Sequence, residues 1–308
     1  MNAELGNLVS NGREAGARPA MLAALEVLRP YQWLKNLLVF VPLLAAHRSM
    51  DLALLVRASV AFVAFSFCAS AIYVANDLHD VHIDAAHPHK KHRPLPSGRL
   101  PPRVAWMMIP ALLLPGLALG WLLGPWVAAA LVTYGLLMVA YSWHLKRIVL
   151  LDALILAAGY ALRVVAGGFA VSILPSPRLI AFCVFLFFSL ALLKRYVELI
   201  LLELYDGVAA HARSYVDRDV PTLLAIGVSS GVMSVFVLVL YVSSAAVQAN
   251  AHPDLIWATC VLLLYWLSYL WLIAHRGRMT DDPLVFAIKD RLSLTLIVLM
   301  GATAWLAM

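Results

Sequence analysis

The chain has 308 residues, of which 63% are apolar and only 13% charged. Charged residues make up about a quarter of a typical soluble chain. This composition therefore argues against a soluble enzyme, a nucleic-acid-binding domain or a disordered scaffold, and the net charge of +6 bears instead on topology, because Lys and Arg gather on the cytoplasmic side of membrane proteins.

Residues 1–20 are polar and rich in Gly and Ala, with no apolar run of the kind a secretory signal carries. They are expected to form a cytoplasmic tail leading into a short amphipathic segment, Met21 to Leu28, that Pro30 ends. Residues 1–28 thus stand apart from a membrane domain over 29–308. A membrane helix needs about 20 apolar residues. Stretches near that length run over 34–47, 52–76, 103–123, 126–143, 150–173, 179–203, 221–247, 255–274 and 291–307. The expectation is an all-α, polytopic bundle of about nine transmembrane helices, the first of them short and holding Pro42.

With the N-terminus inside, nineteen of the 23 Lys and Arg residues fall on cytoplasmic segments. Arg48, Arg57 and Arg178 fall outside, and Arg163 lies within a span. That asymmetry fits an odd number of spans with the polar loops facing the cytoplasm. Cys68, Cys183 and Cys260 lie far apart in apolar runs with no CxxC pair, so buried thiols are expected rather than disulfides or a zinc site.

The first polar cluster is RPYQWLKN at 29–36. Tyr31 and Trp33 suit a membrane interface. Lys35 and Asn36, at the mouth of the first span, either share that role or reach a phosphate.

The loop after the second span, NDLHDVHIDAAHPHKKHRPLPSGRLPPR, holds the densest polar chemistry. Asp77, Asp80 and Asp84 follow an i, i+3, i+7 spacing that stacks three carboxylates on one helix face. Nothing on that face neutralises them, and a divalent cation would. Hard oxygen ligands without thiolates favour Mg²⁺, which takes one or two carboxylates plus substrate phosphates. Lys90, Lys91 and Arg93 follow, giving a cationic edge for a diphosphate. A solvated, charged helix end is the plain alternative. The histidines 79, 82, 87, 89 and 92 lie among carboxylates with no cysteine near, a poor set for zinc.

Farther on, Tyr141 and Lys146 precede the fifth span, which carries Asp152 and Arg163. Eleven residues is about three turns, so these two share a face. Charges inside a membrane line an interior cavity or pair with another helix. The sixth span ends with Lys194, Arg195 and Glu198, then Glu203 and Asp206; Lys194 and Glu198 are spaced for an i, i+4 pair. Polar clusters ending the second and sixth spans suggest a weak internal repeat with two half-sites facing one cavity. The late segment RGRMTDDPLVFAIKDR, with Asp281, Asp282, Lys289, Asp290 and Arg291, is expected to be a solvated loop, with a cap over the cavity as the alternative.

Nine spans, the Asn76-Asp77-x-x-Asp80-x-x-x-Asp84 motif after the second and a polar cluster after the sixth resemble the UbiA superfamily of intramembrane prenyltransferases. The resemblance implies Mg²⁺ on Asp77, Asp80 and Asp84 as the catalytic metal site, with Asn76 beside them and the donor diphosphate bound through the metal. Within that superfamily, RPYQWLKN (29–36), HPHKKHRP (87–94), YSWHLKR (141–147), GYALRVVAGG (159–168), KRYVEL (194–199) and KDR (289–291) resemble the decaprenyl-phosphate phosphoribosyltransferase branch. Where ordinary members carry a second aspartate-rich motif, this chain has Lys194, Arg195 and Glu198.

The branch resemblance implies transfer of a 5-phosphoribosyl group from soluble 5-phosphoribosyl 1-diphosphate to a polyprenyl phosphate, with diphosphate released at the cytoplasmic face of the inner membrane. Lys90 and Arg93 then share the charge of the leaving diphosphate, and Lys35 and Asn36 are candidates for reaching a phosphate. Lys146, Arg163, Lys194 and Arg195 are candidates for the acceptor phosphate or the ribose 5-phosphate, with Tyr141 and Glu198 as further substrate-binding candidates. The partners are two substrates and membrane lipid, with no nucleic acid. An aromatic prenyltransferase of the 4-hydroxybenzoate type is the alternative enzyme. A transporter, with Asp152 and Arg163 along its pathway, is the alternative of a different class.

Overall fold

The computed structural model describes residues 21–86, 90–204, 215–244, 253–279 and 282–307, without the side chains of 201–204 and 253–254. Residues 21–28 form helix α1, whose Ala23 and Val27 lie four apart and turn inward onto Val74, Leu95, Leu100 and Ala105. The first apolar stretch then departs from a single span. It is split into a 3-10 segment, Pro30–Phe40, and a short helix α2, Val41–Ala45. Pro42 has no N–H to return to the preceding turn, so the ladder cannot run through it.

Helix α3 spans Leu52–His79, its first turn capped by the Asp51 carboxylate, which accepts from the Leu54 N–H. It is followed by α4 (Val81–Ala86), α5 (Pro102–Leu123), α6 (Pro125–Trp143), α7 (Leu151–Val171) and α8 (Pro177–Leu204). The remaining helices are α9 (Val220–Val242), α10 (Pro253–His275), α11 (Pro283–Lys289) and α12 (Arg291–Leu306). Gly124 makes the tight link from α5 to α6 at φ 145°, a region closed to other residues. Among the described residues, α3 and α5 to α10 give seven helices long and apolar enough to cross a membrane. The nine expected stretches are thus met by seven long helices, the shorter α12 and the split first segment. The protein is an all-α, polytopic membrane protein.

The chain divides into two compact units. The first comprises Met1–Val139 with Ala166–Ile173. Here α3 packs on α5 at Gly116, where any side chain would press on Cys68 and the Ala64 carbonyl. The 3-10 segment is sewn to α3 by buried polar contacts. Trp33 Nε1 donates to Ser70 Oγ at 3.0 Å, Ser70 donates on to the Leu28 carbonyl, and Asn36 Nδ2 donates to Ser66 Oγ at 3.1 Å. Arg57 closes the other end of this unit. Its Nε donates to the Ala170 carbonyl at 2.6 Å and its Nη2 to Leu123 at 2.9 Å. These are last-turn carbonyls of α7 and α5, which lack intrahelical partners and attract a cation.

Gly167 lies directly on the Val39 carbonyl, so a Cβ there overlaps backbone rather than a movable side chain. Gly167→Ala is expected to cost about 1–3 kcal/mol, the usual range for overpacking. A thermal melt in detergent checks it, and an unchanged midpoint would refute the close approach.

The second unit comprises Ala140–Val165 with Leu174–Met308. Helix α9 turns a stripe of small residues, Gly227, Ser230, Gly231 and Ser234, into the protein, which lets α8 approach closely. At its centre the Ser189 hydroxyl of α8 donates to the Gly227 carbonyl at 2.7 Å and accepts from Trp271 Nε1 of α10 at 3.1 Å. Helix α12 is held to α10 by Trp266 Nε1 donating to Ser293 and by the hydroxyl pair Thr259 and Thr303.

Candidate active site

The acidic motif runs across a one-residue turn between two helices. Helix α3 stops at His79, Asp80 takes the cap position at φ −90° and ψ 6°, and α4 restarts at Val81. Asp77 and Asp84 are each only 2% exposed, and both meet Arg93. Its Nη1 lies 2.6 Å from Asp84 Oδ2 and 3.4 Å from Asp77 Oδ1. Arg29 Nη2 binds Asp77 Oδ1 at 2.6 Å, and Lys90 Nζ lies 3.6 Å from Asp84 Oδ1. Asp80 instead accepts from Asn76 Nδ2 at 3.3 Å.

One expectation is corrected: Asp77 and Asp84 are not without neutralising charge, because cations arrive from outside the helix. Sequence reasoning missed Arg29 as a member of this cluster. Arg29 lies 48 residues from Asp77 and sits in a left-handed turn, φ 52°, before Pro30, with its guanidinium 5.1 Å from the Tyr73 ring centroid. A non-glycine residue ahead of proline rarely takes that conformation, and only the folded turn carries it to Asp77.

Among the described residues, no three His, Cys, Asp or Glu side chains form a closed metal-ligand group. What the fold does bring together is a pair of buried carboxylates, Asp77 and Asp84, close enough to share one guanidinium. Two hard oxygen donors with cationic neighbours for phosphate match the needs of Mg²⁺, which leaves most of its shell to water and substrate phosphate. The residues fit a Mg²⁺–diphosphate seat. His87 and His89 lie outside the described residues.

Lys35 is half-buried on the 3-10 segment, and Asn36 is fully buried against Ser66. Asn36 therefore knits the first segment to α3 and presents no surface to a soluble ligand.

The second constellation is centred on Arg195 of α8, which is 2% exposed. Its Nε donates to Asp152 Oδ2 at 2.6 Å, Nη1 to Glu198 Oε2 at 2.7 Å and Nη2 to the Tyr141 hydroxyl at 2.9 Å. The other Asp152 oxygen accepts from the Tyr215 hydroxyl at 2.5 Å, and that hydroxyl accepts from the Leu150 N–H at 2.8 Å. Burial, and then the bond to Asp152, push the Tyr215 phenol well above its usual range, so it stays a neutral donor.

This arrangement overturns one pairing expected from spacing, Lys194 with Glu198. Asp152 pairs with Arg195 of α8. Arg163, also buried, donates to the Gly159 carbonyl at 2.8 Å and lies 5.6 Å from the Tyr160 ring centroid. Glu198 pairs with Arg195, while Lys194 reaches Asp282 Oδ2 at 2.7 Å. Asp282 also caps α11 by accepting from the Leu284 N–H, so it is more than part of a solvated loop. Tyr215 was missed because nothing in its neighbourhood of sequence marks it. Lys146 is half-buried on the 3-10 turn Leu145–Arg147. Asp281, Asp206 and the side chain of Glu203 lie outside the described residues.

The model of the UbiA prenyltransferase family matches residues 37–304. The chain belongs to the UbiA prenyltransferase family. As a UbiA-family chain it is an enzyme of prenyltransferase type, and the expectation of family and helical fold is borne out. It is 30% identical over 296 residues to decaprenyl-phosphate phosphoribosyltransferase of Mycobacterium tuberculosis, covering 94% of each chain. It is 35% identical to the nodulation protein NoeC of Azorhizobium caulinodans, covering 93% of each. It is 32% identical over 92% of its own length to the protein y4nM of Sinorhizobium fredii, of which it spans 55%. In fold it is similar to a UbiA homolog from Archaeoglobus fulgidus bound to GPP and Mg²⁺, with a TM-score of 0.68 at 18% identity over 92% of this chain and 99% of that one.

Proposed function

We propose that this UbiA-family enzyme transfers a 5-phosphoribosyl group from 5-phosphoribosyl 1-diphosphate to a polyprenyl phosphate, releasing diphosphate, at the cytoplasmic face of the inner membrane. The observation that carries the proposal is the buried pair Asp77 and Asp84 set among Arg29, Lys90 and Arg93. It offers carboxylates for a metal and cations for a diphosphate at one point. The extended identity to decaprenyl-phosphate phosphoribosyltransferase supports a ribosyl rather than a prenyl donor.

Asp77 and Asp84 would hold Mg²⁺, with Asn76 and Asp80 flanking. The ion supplies positive charge against the departing diphosphate. Arg29, Lys90 and Arg93 stabilise the remaining charge on that leaving group. The acceptor phosphate is already anionic, so its attack on C1 of the ribose needs no strong base, and the protein's task is to position and neutralise. Lys194, Lys146, Arg163 and Lys35 are the proposed holders of the two further phosphates. Arg195 is instead a positioning residue, since all three nitrogens of its guanidinium donate to Asp152, Glu198 and Tyr141. Glu198 is held in place by that same guanidinium.

Membership of a prenyltransferase family supports a second reading, prenyl transfer from an isoprenoid diphosphate to an aromatic ring. One experiment separates them. Purified protein with Mg²⁺ is given labelled phosphoribosyl diphosphate plus polyprenyl phosphate, or polyprenyl diphosphate plus 4-hydroxybenzoate. Label in lipid is expected from the first pair alone. Product from the second pair only would overturn the ribosyl assignment.

A further inference from the structure

Asp77 and Asp84 do not wait for a cation; the fold has already supplied them with guanidinium groups. Among the described residues Arg93 spans the pair, at 2.6 Å from Asp84 and 3.4 Å from Asp77, and Arg29 meets the same Asp77 oxygen at 2.6 Å. With Lys90 at 3.6 Å, two carboxylates face three cations. A divalent ion arriving by itself must compete with Arg93 for both carboxylates and is repelled by the three cations that meet them. It also strips partly buried guanidinium groups of their counter-ions, which is the costly way to break an ion pair. A diphosphate arriving by itself finds those guanidinium groups engaged. Arriving together, the two exchange partners: the metal takes the carboxylates, the arginines take phosphate oxygens, and no charge is left without its opposite.

We infer that Arg93, assisted by Arg29, is a counter-ion that competes with the metal for Asp77 and Asp84 and passes to the diphosphate, so that metal and diphosphate bind as a coupled pair. The inference rests on the reading of these carboxylates as the metal–diphosphate seat. It assigns Arg29 a role in that seat and makes Arg93 a brake on metal binding as well as a diphosphate ligand. The left-handed turn at Arg29 has a function on this account: it aims the one cation from the start of the chain's first segment into a carboxylate cluster formed much later.

The test is equilibrium dialysis of the full chain in detergent micelles, counting Mn²⁺, a stand-in for Mg²⁺ at oxygen ligands, and labelled inorganic diphosphate. In the wild type, Mn²⁺ with diphosphate is expected to bind at least about tenfold more tightly than Mn²⁺ alone, and by linkage the metal tightens diphosphate by the same factor. In Arg93→Gln, Mn²⁺ alone binds about tenfold more tightly than in the wild type, and the dependence on diphosphate shrinks. Arg29→Gln shifts both quantities the same way by less, and serves if Arg93→Gln fails to fold in a thermal melt. Equal Mn²⁺ affinity in the wild type and both variants overturns the inference while leaving the seat intact. Retained binding of Mn²⁺ with diphosphate in Asp84→Asn overturns the seat itself, and the inference with it.

Discussion

Arg195→Ala is expected to be the most destabilising single change in the molecule, at about 3–5 kcal/mol, the range for removing one partner of a buried ion pair. Asp152 is fully buried and would keep only the Tyr215 hydroxyl and its own charge. Tyr141 would lose a donor, and Glu198 the guanidinium that holds it. Arg195→Lys should recover little of this, since one ammonium cannot reproduce the planar donor set that meets three acceptors. A double change to Asp152→Asn with Arg195→Met should cost less than the sum of the singles, because it leaves no buried charge alone. The measurements are thermal melts in detergent, with kinetics on whatever remains folded. A variant that melts like the wild type but needs far more acceptor would return Arg195 to the phosphate-binding set and refute the positioning role.

Asp84→Asn is expected to do the opposite: a large loss of activity with a smaller loss of stability. The amide keeps the shape but removes the charge on which a metal and Arg93 depend. Transfer of label from phosphoribosyl diphosphate should fall by about 100- to 1,000-fold, the scale set by removing one electrostatic group from a reacting centre. Arg93 is 32% exposed in this pair, so water compensates part of the lost attraction and the stability cost should fall below that of Arg195→Ala. Asp77→Asn should behave alike, with the further loss of the Arg29 contact. Asp80→Asn should be milder, since Asp77 and Asp84 are the pair that Arg93 joins. Equal losses for all three substitutions would argue for a three-carboxylate site in the working enzyme, and full activity of Asp84→Asn would sink the metal assignment.

The contrast between these two variants shows how much of the site was legible in sequence. The acidic motif at 77–84, the cationic run at 90–93 and the charges of 194–198 are all local features, visible as polar interruptions in apolar sequence. Spacing along one helix then failed as a guide to partners. Asp77 and Asp84 are spaced to stand without a counter-ion of their own, yet Arg29 and Arg93 reach them from outside the helix. Lys194 and Glu198 are well spaced for each other, yet each finds a nearer or better-buried partner in Asp282 and Arg195. Spacing on a helix contributes only about 0.2–0.5 kcal/mol to such a pair, so a buried partner from another element easily overrides it.

Composition and hydropathy alone determined that this is a helical membrane protein, where its helices lie and where its chemistry concentrates. A membrane span needs only a contiguous run of apolar residues, which is a property of local sequence. The partners of each charge were decided only by the tertiary structure. Arg29 and Asp77 are 48 residues apart, Arg195 and Asp152 are 43, and Lys194 and Asp282 are 88. Ion pairs act over a few ångströms of space and are indifferent to distance along the chain, so the order of residues names the charges but only the packed helices choose which of them meet.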